Sequence, residues 1–180
     1  SDCLVGSEMC IRDRYIGSTE KDLGVPEEIK KLTVSVEFNN FKKIKSLFER
    51  GPRDYAALII EPEGSEIQNN NFLKKIRAIT KKYKTILIFD EIVSGFRVDI
   101  GGAQKKYNVI PDLTTLGKAM ANGMPLSALV GKRKFMKLNE EIFFSGTFSG
   151  EALSLAASLA TIKKLKNENI TEQLLEHGFK

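Results

Sequence analysis

The stretch ILIFDEIVSGFR, Ile86 to Arg97, runs four apolar residues straight into two adjacent carboxylates, Asp90 and Glu91. A short, continuous apolar run is the pattern of a strand covered on both faces, as in a parallel sheet. Such a strand does not end in two negative charges without partners, because an unpaired carboxylate is costly to desolvate. The neighbouring elements indicate where those carboxylates lie.

Upstream, Tyr55 to Ile60 (YAALII) is a second apolar run, closed by Glu61-Pro62-Glu63-Gly64. Between the two runs, Asn70 or Asn71 opens a helix. Phe72, Leu73, Ile76, Ile79 and Tyr83 form its apolar stripe, and lysines cover the rest. Further upstream, Leu32 to Phe38 alternates as a half-buried strand would. Asn39 or Asn40 then caps a helix with Phe41, Ile44 and Phe48 on one face, and Gly51-Pro52 ends it. Strand and helix in alternation at these lengths imply right-handed crossovers and an α/β fold with a mostly parallel sheet flanked by helices. Downstream, Leu113 to Leu116 and Leu126 to Val130 read as short strands around the loop Gly117 to Pro125. Glu151 to Lys166 reads as a closely packed helix rich in alanine and leucine, and Thr171 as the cap of a last helix.

In sheets of this kind, ligands bind beyond the carboxyl ends of the strands. Glu61 and Asp90 end successive parallel strands, so both belong to one sheet edge. One cation for them is Mg²⁺, since four apolar residues before Asp-Glu is also a Walker B pattern. That reading requires G-x-x-x-x-G-K-[ST]. The Gly-Lys pairs here, Gly117-Lys118 and Gly131-Lys132, are followed by Ala119 and Arg133, and Asp112 and Leu126 stand where the first glycine belongs. The other cation is a protonated heterocycle. Pyridoxal 5'-phosphate (PLP) is an electron sink only while its ring nitrogen keeps its proton, which a facing carboxylate favours. It also needs a lysine amine for a Schiff base. Lys118 lies in TTLGKAMANGMP, a glycine-punctuated turn able to present an amine to the sheet edge.

Three segments then carry a family resemblance: FDEIVSGFRV, GGAQKKYNVIPDLTTLGKAMANGMPLSALVGKR and FFSGTFSGEALSLAAS. Together they resemble the class III PLP-dependent aminotransferases, with the glutamate-1-semialdehyde 2,1-aminomutase branch nearest. That branch keeps the 28-residue interval from Asp90 to Lys118. The likeness runs from about Tyr15 to Lys180. It implies the large PLP-binding domain of a fold type I transferase and PLP as cofactor. Asp90 would pair with the pyridine nitrogen, Ile92 would pack on the ring, and Val93 would lie near the phenolic oxygen. Lys118 would form the Schiff base and shuttle the proton. Gly146 and Thr147 would reach the phosphate in the neighbouring subunit. It further implies a small-molecule amino or keto substrate and a homodimer with shared active sites. Glu91 and Arg97 are expected to be structural, Glu91 as a salt-bridge partner.

The sequence departs from that branch in two places. Glu151 stands where the branch has Asn-Pro, and EPEGSEIQ replaces a longer glycine-rich segment. A sugar or amino-acid transaminase is therefore the alternative activity. The family's phosphate loop and ring-stacking aromatic are expected upstream of this sequence and most of its small domain downstream. A fragment without them is expected to be catalytically incompetent alone.

Composition bounds the rest. The 180 residues are 42% apolar and 28% charged, enough for one domain with a real core. The net charge of +5 comes from scattered lysines such as Lys81, Lys82 and Lys84, with few aromatics among them, which describes a solvated surface rather than a nucleic-acid face. No apolar run approaches the roughly 18 residues of a membrane span. With no signal-peptide pattern either, the expectation is a cytoplasmic protein without a membrane partner. Leu4 to Asp13 resembles a translated transposase-type sequencing adapter, so residues 1–14 are read as a non-native tail. Both cysteines, Cys3 and Cys10, fall inside it, which leaves no disulfide framework or CxxC metal site. Residues 15–165 are then part of the large domain, and 166–180 the start of the small one.

Overall fold

In the computed structural model, which describes residues 23–63, 71–143, 146 and 149–178, the sheet is built around the opening stretch. Its strands are Ala57–Ile60 (β1), Ile86–Glu91 (β2), Leu113–Leu116 (β3) and Ala128–Gly131 (β4), in the order β1-β2-β3-β4. β1 and β3 flank β2 in parallel, and β4 closes the sheet antiparallel to β3. The helices are Glu27–Lys30 (α1), Phe41–Arg50 (α2), Phe72–Tyr83 (α3), Gly102–Lys106 (α4), Arg133–Met136 (α5), Ala152–Asn167 (α6) and Ile170–Gly178 (α7). Short 3₁₀ turns cover Lys118–Met120 and Lys137–Glu140. Among the described residues, no helix is long and apolar enough to cross a membrane. The adapter-like residues 1–14, Asn70 and Thr147 lie outside the described residues.

The crossover helices form where the apolar periodicity places them. Asn40 caps α2, its side chain accepting from the Lys43 amide at 3.1 Å. Ile44 and Phe48 of α2 meet Phe72, Leu73, Ile76 and Ile79 of α3 over Leu87 and Phe89 of β2, with Val109 at the margin. Phe48 stacks on Tyr83 at 5.3 Å, and Phe38 meets the edge of Phe72 at 5.3 Å. Each large side chain buried here contributes about 1.5–3 kcal/mol, so this layer fixes one face of the sheet.

Asp112 ties the layers together. Its carboxylate accepts from the Leu87 amide at 2.9 Å, from Arg77 of α3 at 2.8 Å and from Lys132, just after β4, at 2.6 Å. Burial opposes the charge, yet the bonds from Leu87, Lys132 and Arg77, with the Arg77 charge, hold the carboxyl below its ordinary range. In the sequence Asp112 stood out only as the residue where a phosphate loop requires glycine. The partners come from three elements distant in the chain, so no local pattern announces them.

Four expectations need correction. Leu32 to Phe38 forms no strand, because no described strand offers it a ladder. Val36 and Phe38 pack on the core while Leu32 and Val34 stay exposed. β1 is not covered on both faces: among the described strands it lies at the edge of the sheet, and Ile59 is 42% exposed. α6 presents its serines inward, with Ser154 and Ser158 buried while Leu153, Leu155 and Leu159 are exposed. Thr171 lies buried within α7 instead of capping it.

Candidate active site

Asp90 and Glu91 are consecutive strand residues, so their side chains leave β2 on opposite faces. Glu91 is fully buried on the face that carries Leu87 and Phe89. It accepts from Ser94 Oγ at 3.0 Å, from the Ala103 amide, and from the amide and Nε2 of Gln104, both at 3.2 Å. These are neutral donors: the expected salt bridge is replaced by the first turn of α4, whose free amides take the carboxylate. Gly102 permits this approach. Its φ is +69°, and any side chain there would overlap the Glu91 carboxylate.

Asp90, on the opposite face, is half-buried. Its Oδ1 accepts from the Ile92 amide and from Thr115 Oγ1, both at 3.1 Å. Register produces the second bond, since Asp90 pairs with Thr115 across the parallel β2–β3 ladder. On the other side Ile60 pairs with Phe89, so Glu61, the next residue, comes level with Asp90. Glu61, Asp90 and Thr115 thus form a row across the carboxyl ends of three strands.

Lys118 opens the turn that follows β3. Gly117 is extended, and the chain then turns at Lys118, whose φ of +39° lies in the left-handed region. A non-glycine residue there is strained by about 1–2 kcal/mol, the kind of cost that active sites retain. Bonds from the Met120 amide to Gly117 (2.9 Å) and from the Asn122 amide to Lys118 (3.2 Å) hold the turn. Lys118 is exposed and makes no ion pair with a described residue. It nevertheless belongs to the same electrostatic group as the carboxylate row. The Glu61 carboxyl is raised above its ordinary value by desolvation first and the Asp90 charge second, while the Lys118 charge opposes both. Glu61 as a residue is exposed, so this crowding concerns its carboxyl end.

Of the other sequence-predicted residues, Ile92 meets the lysine turn. Ile92 is half-buried, and its side chain packs beside Gly117. Val93 is 46% exposed. Gly146 is exposed, and its carbonyl accepts from the Ser149 amide at 3.0 Å; no described contact joins it to Asp90 or Lys118. Glu151, at one of the two departures, caps α6 by accepting from the Leu153 and Ser154 amides, both at 2.7 Å. Thr115 was missed at the sequence level. The available signal was a hydroxyl on a buried strand three residues before the candidate lysine.

The mostly parallel α/β sheet therefore carries a carboxylate row and a lysine turn at its carboxyl edge, the edge where sheets of this kind bind ligands. The chain belongs to the aminotransferase class-III family, whose model matches residues 20–179. It is 40% identical over 158 residues to the glutamate-1-semialdehyde 2,1-aminomutases of Legionella pneumophila (strain Corby) and Desulfitobacterium hafniense (strain DSM 10664 / DCB-2). Those matches cover 84% of this chain and 37% of each relative, so the chain spans little more than a third of the curated relatives' length. Among solved structures it is similar to an omega-transaminase from Sphaerobacter thermophilus, with a TM-score of 0.75 and 31% identity, covering 79% of this chain and 35% of that one. A transaminase with PLP bound matches with a TM-score of 0.76 and 27% identity, covering 81% and 37%.

Proposed function

We propose that the protein carrying this chain transfers amino groups with PLP, and that Glu61, Asp90, Thr115 and Lys118 line the edge where the cofactor sits. The observation that carries this reading is the unclaimed chemistry of Asp90 and Lys118. Asp90 Oδ1 is held by two donors, whereas Oδ2 accepts from none among the described residues. A half-buried carboxylate with one oxygen open suits a protonated ring nitrogen. An amine at the same edge, free of ion pairs to described residues, suits an aldehyde. The residues present therefore fit the nitrogen and aldehyde ends of the cofactor.

When bound, PLP supplies an electron sink for the charge developing at the substrate carbon. Asp90 Oδ2 would favour the protonated form of the ring nitrogen. Lys118 Nζ would hold the cofactor's aldehyde end and, as a free amine, would take a proton from the substrate carbon and deliver it to the carbon where the new C–H bond forms. Ile92 would shield the bound cofactor from water, and Val93 would lie next to it. In a homodimer with shared sites, Gly146 and Thr147 would hold the phosphate bound in the neighbouring subunit. Residues 15–165 belong to the large domain and 166–180 open the small one, so the boundary falls in the last turn of α6. We read residues 1–14 as a tail of non-native origin. The setting is cytoplasmic, and the partners are small amino or keto compounds, with no nucleic acid or membrane.

An intramolecular amino shift of the semialdehyde aminomutase type is preferred, supported by the relatives at 40% identity. Transfer between separate molecules is the second reading, supported by the transaminase structures. The experiment incubates the PLP-loaded protein with glutamate-1-semialdehyde, and separately with an amino donor plus a keto acceptor. Product from the single substrate supports the first reading, product from the pair alone supports the second, and no amino transfer in either overturns both.

A further inference from the structure

We propose that Thr115 is a positioning residue of the cofactor site: its hydroxyl, together with the Ile92 amide, pins Asp90 Oδ1 so that Oδ2 is presented to the ring nitrogen. This rests on the reading of Asp90 given above. The last torsion of an aspartate side chain is broad and nearly two-fold, so a carboxylate at a sheet edge does not orient itself. Here two donors, each at 3.1 Å, converge on the same oxygen from different elements. The Ile92 amide belongs to the loop after β2, and the Thr115 hydroxyl to β3. Thr115 is 6% exposed, which leaves its hydroxyl little solvent to turn to.

Strand alternation gives the adjacent threonine the opposite duty. Thr114 Oγ1 accepts from Gln104 Nε2 at 3.4 Å, on the face where Gln104 also holds Glu91. The dipeptide Thr114-Thr115 therefore serves the two carboxylates of β2 separately, the first through the Glu91 network and the second through a direct bond to Asp90. Valine at position 115 keeps the β-branched shape and the buried volume and removes only the hydroxyl, so it isolates the hydrogen bond.

The test is an equilibrium titration of PLP into the protein carrying this chain and into Thr115→Val, Thr115→Ser, Asp90→Asn and the double variant Asp90→Asn/Thr115→Val. Thermal melting of each cofactor-free protein is recorded alongside. The expected result is a PLP dissociation constant about tenfold weaker for Thr115→Val, the scale of one hydrogen bond to a charged group. Thr115→Ser stays within about twofold, and Asp90→Asn weakens binding at least as much as Thr115→Val does. In the Asp90→Asn background, Thr115→Val adds nothing further. Wild-type affinity in Thr115→Val overturns the proposal. So does an equal loss with and without Asp90, which would mean that the hydroxyl serves the fold. Wild-type affinity in Asp90→Asn overturns the reading of Asp90 as well, so the two failures are distinguishable. Should the valine variant not fold, Thr115→Ala gives the same comparison.

Discussion

Glu91 holds Gln104 by two hydrogen bonds of 3.2 Å, one from the main-chain amide and one from Nε2. With the bonds from Ala103 and Ser94, they fasten α4 and the loop after β2 to the sheet. Glu91→Ala leaves these donors buried and unsatisfied, and a destabilisation of about 3 kcal/mol is expected. Glu91→Gln restores only one accepting oxygen and recovers part of that loss. Urea unfolding of the three proteins checks the order wild type, glutamine, alanine. Equal stability of wild type and alanine would contradict the structural role.

Asp112 is expected to shape the acid limb of stability. Its carboxyl is held below its ordinary value of 3.8. The stability it contributes is therefore complete above 3.8 and is lost as pH falls through the lower folded value. Asp112→Asn should cost about 2–4 kcal/mol near neutrality, because the Arg77 and Lys132 charges lose their partner. That difference from wild type should shrink at pH values below 3.8. Denaturant unfolding as a function of pH measures both effects, and a difference constant down to the most acidic pH would refute the assignment.

Glu61 is expected to act in the opposite sense. Its carboxyl is raised above its ordinary value of 4.5, so the folded protein holds this proton more tightly than the unfolded chain does. Stability then falls as pH rises from 4.5 through the folded value. Glu61→Gln should flatten that slope and melt higher than wild type above the window, with no advantage below it. Melting curves from about pH 4 to about pH 7 test the sign. A wild type that melts higher than the variant above the window would reverse it.

The parallel layout and the position of Glu61 and Asp90 at one sheet edge were legible because they rest on local patterns. The apolar runs ending in Glu61 and Asp90, and the stripe Phe72, Leu73, Ile76 and Ile79, required no knowledge of partners. Leu32 to Phe38 misled because alternation predicts a strand only where another strand supplies a ladder, and no described strand does. The inward serines of α6 were hidden because composition favours burying leucine, whereas Ser154 and Ser158 lie four residues apart on one helix face. The Asp112 network and the Thr115 bond were illegible for a different reason. Both depend on the register between strands, which no single segment encodes.

The central claim, that Lys118 is the residue to which the cofactor attaches, is tested most directly by borohydride reduction of the PLP-loaded protein followed by peptide mass mapping. The account predicts a pyridoxyl adduct on the peptide containing Lys118 and no adduct in Lys118→Ala. An adduct on another lysine, such as Lys106 or Lys132, or one that persists in Lys118→Ala, would contradict it.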